Sequence, residues 1–353
     1  MKVLFVTRPD AQQSVGGDTV QLLKTQQGLQ RLGAEVQLGV PDAENLAWAD
    51  IVHVFNAQTP ETSLPALRAA RQAGKKAVLS TIWWDLSHAR LAERVGRLGL
   101  PVSPLTRLLL PASRAVFGVL KAGWLQDVQA TLRSADLLLP NSEEEMQVLR
   151  REFGAVLPPH HVVLNAVDRE VFAWAEAAGQ GVVCFARLQP AKNQLNLIRA
   201  MPPGVPLTLV GRGDPASRFV RAVEREAGER GFVVLNQHVS QAQVANLLRL
   251  HAVHALPSLR ESPGLSSLEA LASGLNVVVS RSEYCPTQTY FKELLGRHVF
   301  DCDPYRPGSL RAAITAALQR PRPASPPLDD RFDWNSVAVQ TLLAYRKLLG
   351  YGR

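Results

Sequence analysis

Two carboxylates at a fixed spacing, Glu261 and Glu269 in RESPGLSSLEALASG, are the residues of this sequence best suited to chemistry. On a helix, eight positions separate them by about 12 Å at 1.5 Å per residue. That helix is expected to begin at Ser262-Pro263, with Ser262 as its cap and Pro263 in the first turn, and to close at Gly274 in a left-handed turn. Its open end carries backbone N–H groups without intrahelical partners, and together with the helix dipole these attract an anion. Pro263, Gly264 and Leu265 let a ligand approach the backbone there. The frame fits a nucleotide diphosphate sugar, with one carboxylate for sugar hydroxyls, the other for ribose hydroxyls, and the diphosphate on N–H groups between them. Arg187 and Lys192, five residues apart after an apolar strand, offer a rigid fork and a mobile point charge for the same phosphates.

The elements that must position these groups alternate along the chain. Strands are expected at Lys2 to Val6, Glu35 to Val40, Asp50 to Phe55, Lys76 to Thr81 and Ala135 to Leu139. A second series ends at Phe185 or Ala186, then runs through Leu207 to Gly211, Phe232 to Leu235, Val253 to Pro257, Asn276 to Ser280 and Val299 to Cys302. Helices between strands argue for α/β architecture with parallel sheets covered on both faces, whose carboxyl ends hold the chemistry. At 353 residues and 46% hydrophobic content, two cores are expected rather than one. The divisions read as 1–165, 166–327 and a closing helix over 328–353, capped by Asp333 and burying Trp334, Ala338, Leu342, Tyr345 and Leu349.

Charge and cysteine content narrow the classes. Lysine and arginine exceed acids by 39 − 31, a net charge of +8, which favours an anionic partner; no nucleic-acid signature accompanies it. The three cysteines lack metal spacing, so a reduced cytoplasmic setting is expected, and no metal. Asp301-Cys302-Asp303 has a metal-like pattern but ends a strand and is not read as a site. The opening MKVLFVTRPD reads as a strand rather than a leader. Residues 90–121 carry six cations and Glu93 as the lone acid, 6 − 1 = +5, among leucines and prolines. This composition suits either a helical lid or contact with an anionic membrane face.

Gly16-Gly17 sits at the first strand-to-helix turn, and His53, Asn56, Trp84, Asp85 and His88 follow strand ends of the first half, where an acceptor is expected. Taken with Arg187, Lys192 and the glutamate pair, these motifs resemble the retaining GT-B glycosyltransferases of family 4. The resemblance implies two Rossmann-like domains facing a central cleft, the last helix crossing back to the first domain, and sugar transfer from a nucleotide diphosphate sugar, UDP before GDP, without a metal or cofactor. It implies a glycan, lipid-linked glycan or small molecule as acceptor, as in cell-envelope polysaccharide synthesis. It assigns catalytic roles to Arg187, Lys192, Glu261 and Asp85. Donor contacts fall to Gly16, Gly17, Gly211, His238, Val239, Ser262, Pro263, Gly264, Leu265 and Glu269, and the acceptor side to His53, Asn56, Trp84 and His88. The chain departs from the family in IWWDLSH, where Trp84 stands in place of a histidine, and in VVLNAVDREVF, where Ala166 replaces a glycine. A sugar-nucleotide epimerase and a non-catalytic nucleotide or glycan binder are the alternatives.

Overall fold

A computed structural model describes residues 1–11, 16–175 and 179–351. The chain divides into two compact units: Met1–Trp84 with Phe117–Ala166 and Asp330–Arg353, and Asp85–Val116 with Val167–Asp329. Each is built on one parallel sheet.

The first sheet has the order β2-β1-β3-β4-β5, from β1 (Lys2–Val6), β2 (Glu35–Leu38), β3 (Ile51–Phe55), β4 (Lys76–Ser80) and β5 (Leu137–Leu139). The apolar runs of β1, β3 and β4 are buried on both faces, as central parallel strands require. The chain reverses direction across the sheet between β1 and β3, leaving a crevice at their carboxyl ends. The last helix, Trp334–Leu348, is capped by the Asp333 carboxylate accepting from Asn335 N–H at 2.7 Å and belongs to this unit. It packs along Gly17–Arg31, burying Trp334, Val337, Ala338 and Tyr345 in the core of the sheet.

That contact is close at Gly28, where an added Cβ would stand 2.5 Å from Ala338 Cβ. Gly28→Val should therefore force the two helices apart and cost about 2 kcal/mol in denaturant unfolding, with Ala338→Gly restoring part of the loss.

The second sheet has the order β11-β10-β9-β6-β7-β8, from β6 (Val182–Phe185), β7 (Leu207–Val210), β8 (Val233–Leu235), β9 (Val253–Leu256), β10 (Asn276–Ser280) and β11 (Val299–Cys302). This is the doubly wound arrangement with its reversal between β6 and β9. Those two strands pair only at Val182 with Val253 and Val183 with His254, and then part, whereas β9 and β10 stay paired over four positions. His254 fills the parting. Its ring lies 6.4 Å from Phe185 at 11°, Nε2 accepts the Phe185 N–H at 3.5 Å, and burial pushes its pKa down to about 3, so it is a neutral packing group.

Residues 85–116, placed with the first domain by the sequence reading, cluster with the second unit. Leu91, Ala92, Val102 and Leu110 from this segment form one apolar cluster with Leu259, Tyr284 and Tyr305. Gly96 permits the approach, since a Cβ there would fall 2.2 Å from Pro190. Among the described residues no helix is long and apolar enough to cross a membrane.

Candidate functional site

The crevice between β6 and β9 is where Lys192 and Glu261 meet, and Arg187 stands near enough for its charge to act on Arg260 beside them. Arg187 follows β6 and is exposed. The chain then makes a short turn over Pro190–Lys192, passes Asn193 at φ 63°, and enters the helix Gln194–Ala200. Asn193 fastens this turn to the neighbouring strand ends, its amide donating to the carbonyls of Pro257 at 3.1 Å and Pro304 at 2.8 Å. Gln194 Nε2 donates to the Arg187 carbonyl at 2.9 Å. The outcome is an ion pair between Lys192 Nζ and the Glu261 carboxylate across the crevice.

Gly211, after β7, closes the back of the Arg187 loop. Its φ is 149° and a Cβ would lie 2.1 Å from the Ala186 carbonyl oxygen, so only glycine allows the two backbones this close. The following Gly213 N–H donates to Asn236 Oδ1 at 2.8 Å, tying the loop after β7 to that after β8. On that second loop His238 is exposed and Val239 half-buried.

The helix beside Glu261 runs Leu265–Ala272 and starts later than the sequence suggests. Gly264, at φ 90° and ψ 94°, occupies the cap position and takes the backbone off the helical path, so Ser262 is not the cap and Pro263 lies in the loop. A side chain at Gly264 would press against Leu256 at 2.9 Å and the Glu261 carboxylate at 3.3 Å. At the other end Gly274 has φ 84°; its N–H donates to Leu271 and that of Leu275 to Ala270, the paired bonds of a left-handed closing turn. Glu269 is half-buried on this helix, and burial pushes its carboxyl up to about 7.

Arg260 is the functional candidate that the sequence reading passed over. It immediately precedes Glu261, and burial together with the positive charge of Arg187 lowers its pKa, while Glu261 opposes the shift. Three cations thus act on one crevice against Glu261. Its signal in the sequence was only a basic residue next to the first glutamate. Beneath the ion pair Cys184 is buried and pushed up to about 12, chiefly by desolvation, which makes it an inert packing thiol.

In the first unit Gly16 and Gly17 open the helix Gly17–Arg31 at the β1/β3 reversal. Asp18 of this helix accepts from Arg8 Nε at 3.2 Å and from Asn56 Nδ2 at 3.5 Å, so the loops after β1 and β3 meet there. Asn56 itself has φ 79°.

The histidines go elsewhere. His53 is inside the first unit, with Nδ1 2.5 Å from the Tyr345 hydroxyl and Nε2 2.9 Å from Ser80 Oγ, and burial pushes it down to about 3. The acceptor-side expectation for it gives way to a core role, because β3 is covered on both faces. Trp84 is buried as well. Asp85 accepts from Ser87 N–H and Arg114 Nη2, both at 2.8 Å. His88 is buried against Tyr284 and Tyr305 of the second unit, 3.0 Å from the Tyr305 hydroxyl, and desolvation lowers its pKa. His88 therefore seats the helix Ser87–Gly96 on Tyr284 and Tyr305 of the second unit, while Asp85 ties the start of that helix to Arg114. Asp303 pairs with Arg281 at 3.2 Å and Arg107 at 3.6 Å, and among the described residues no cluster of histidine, cysteine and acids could hold a metal ion.

Residues 169–335 match the family described as Glycosyl transferases group 1. A D-inositol 3-phosphate glycosyltransferase of Xylanimonas cellulosilytica is 28% identical over 314 residues, 75% of each chain. An MMP alpha-(1->4)-mannosyltransferase of Mycolicibacterium hassiacum is 26% identical over 327 residues, 85% of this chain and 78% of that one. Among solved structures, sucrose-phosphate synthase from Thermosynechococcus elongatus superposes with a TM-score of 0.71 at 16% identity, covering 100% of both chains. Anabaena HepE in complex with UDP and glucose gives 0.68 at 18% identity, covering 98% of this chain and 100% of that one. Two parallel doubly wound sheets and these relatives define the class: the protein is a glycosyltransferase of the GT-B fold. Within that class, the likeness to the group 1 glycosyl transferases is carried by residues 169–335.

Proposed function

We propose that the protein transfers a sugar, with retention of its anomeric configuration and without a metal, from a nucleotide diphosphate sugar to a glycan, lipid-linked glycan or small-molecule acceptor. UDP is favoured over GDP as the carrier. The observation that carries this reading is the gathering of Arg187, Lys192, Glu261 and the start of the helix Leu265–Ala272 at the reversal of one parallel sheet. The donor is assigned to that crevice, and the acceptor to the first unit around Asn56. HepE, of similar fold, holds UDP and glucose.

In the reaction the bond from the sugar anomeric carbon to the diphosphate oxygen breaks, and its electron pair leaves on the diphosphate. An acceptor oxygen forms the new bond and its proton departs. The developing phosphate charge is met by Arg187 and Lys192 and by the N–H groups at Leu265 and Ser266, groups already in place before the step. Lys192 spends the empty state on Glu261, so donor phosphates compete for that ammonium and release the carboxylate toward sugar hydroxyls.

Thermal melting with a panel of UDP- and GDP-sugars, followed by acceptor assays with and without chelator, tests the reading. A ligand at a hundred times its dissociation constant stabilises by about 2.7 kcal/mol, a shift readily seen. UDP-sugars should raise the melting temperature more than GDP-sugars, chelator should leave turnover unchanged, and product NMR should show the donor's anomeric configuration. An epimerised donor formed without acceptor would favour the epimerase, and donor binding without any turnover would favour the non-catalytic binder. The partners in this reading are the donor, the acceptor and, through residues 90–121, an anionic membrane face.

A further inference from the structure

The second unit leaves an apolar surface uncovered. Leu98, Leu100, Leu105, Leu108 and Leu109 are 63%, 52%, 77%, 75% and 56% exposed. Among the described residues of that unit the other large apolar side chains so exposed are Val116, close in sequence, and Val233 and Leu250, each remote from it along the chain. Scattered single leucines need no explanation; five within twelve positions do.

The segment is held so that these side chains stay outside. Val102 and Leu110 turn inward to Leu259, Tyr284 and Tyr305. Ser103 caps the turn Pro104–Arg107, accepting from Thr106 N–H at 3.2 Å. Arg107 donates to both Glu283 oxygens at 2.9 and 3.1 Å, fixing the turn from beneath. The turn at Gly99, φ 72°, would bring a Cβ to 3.2 Å from the Arg218 carbonyl, which fastens the Leu98–Leu100 loop to the start of another helix. A recess lined by Leu105, Leu108, Arg107, Asp303, Tyr305 and Arg306 opens at the same place, mixing aliphatic and guanidinium groups with one carboxylate.

We propose that this face of the second unit, centred on Leu105 and Leu108, docks on an anionic lipid bilayer, with the leucines entering the interfacial region and the arginines meeting headgroups. Charge selects this occupant. Exposed Arg94, Arg97 and Arg114 share the segment, and residues 90–116 of this unit carry five arginines against Glu93, a net of 5 − 1 = +4. A second copy of a +8 chain would bring like charge to like charge, whereas an anionic surface is complementary. The inference deepens the membrane partner named above and rests on that reading for its purpose. Docking would then hold the donor-carrying unit itself at the surface where a lipid-linked acceptor resides.

The test is sedimentation of the full chain with phosphatidylcholine vesicles, with and without phosphatidylglycerol. Recovery should need phosphatidylglycerol, fall as salt is added, and drop roughly fivefold or more in Leu105→Ser/Leu108→Ser, because apolar burial and charge both contribute. The variant's melting temperature and its shift with sugar nucleotides should equal those of the wild type, since neither residue borders the crevice at Arg187 and Glu261. Equal recovery with both vesicles, unchanged recovery in the variant, or a self-associating wild type dispersed by the variant would overturn it. A missing nucleotide shift in the wild type would instead overturn the donor assignment and leave the lipid result standing.

Discussion

Replacing Arg187 or Lys192 by alanine should lower the rate of sugar transfer by on the order of 10² to 10³, the usual loss when one preorganised donor to a developing oxyanion is removed. The loss should appear in kcat more than in KM, because phosphate charge grows as the bond breaks and these cations are worth most at that moment. The two variants differ in what else they disturb. Arg187 is exposed, and its removal should leave thermal melting close to that of the wild type. Lys192 pairs with Glu261, whose side chain is only 10% exposed, so its removal strands a carboxylate and should also cost about 1 to 3 kcal/mol of stability. Adding Glu261→Gln to Lys192→Ala should recover much of that stability without restoring rate. Steady-state kinetics beside denaturant unfolding separates the two effects, and wild-type rates in both single variants would end the diphosphate assignment. Arg260→Ala belongs in the same series as a third cation acting on the crevice.

What the sequence revealed depended on how local the cause was. The central strands were legible because each is an apolar run bounded by turn residues, and β1 falls where its run does. Asp333 announced its helix because capping is settled within three residues. The start of the helix Leu265–Ala272 was misplaced because two local rules compete over Ser262, Pro263 and Gly264. Serine and proline favour a cap, but a glycine at φ 90° interrupts the path, and what confines it there, Leu256 and Glu261, is a matter of packing. His53 could not be read as a core residue from its own strand, since its partner Tyr345 lies 292 positions away. Residues 85–116 present the hardest case. Their leucines divide into an inward and an outward set, and that division is decided by Leu259, Tyr284 and Tyr305, which no local periodicity foretells.

Glu269 makes the remaining prediction, a dependence of donor affinity on pH. Burial raises its carboxyl from an ordinary 4.5 to about 7, so near neutrality the empty protein holds a mixture of acid and carboxylate. Ribose hydroxyls donate to a carboxylate and stabilise its charged form, so donor binding should release this proton. With the carboxyl near 7 in the empty protein and lower once ribose hydroxyls donate to it, affinity should rise from pH 6 to pH 8 and level off above that. Glu269→Gln should bind more weakly at pH 8 and lose the slope. The empty protein should respond in the opposite sense. Its folded form keeps a proton that the unfolded chain has already lost between pH 4.5 and 7, so this group's contribution is complete below 4.5 and fades as pH rises through about 7. At 1.36 kcal/mol per pH unit the fading amounts to roughly 3 kcal/mol at most. Glu269→Gln should accordingly flatten the melting profile of the empty protein while weakening its ligand. Calorimetric titration at several pH values in buffers of different ionisation enthalpy reads the released proton directly. A wild-type protein that binds donor with no proton release, or a glutamine variant with the wild-type slope, would remove Glu269 from the ribose.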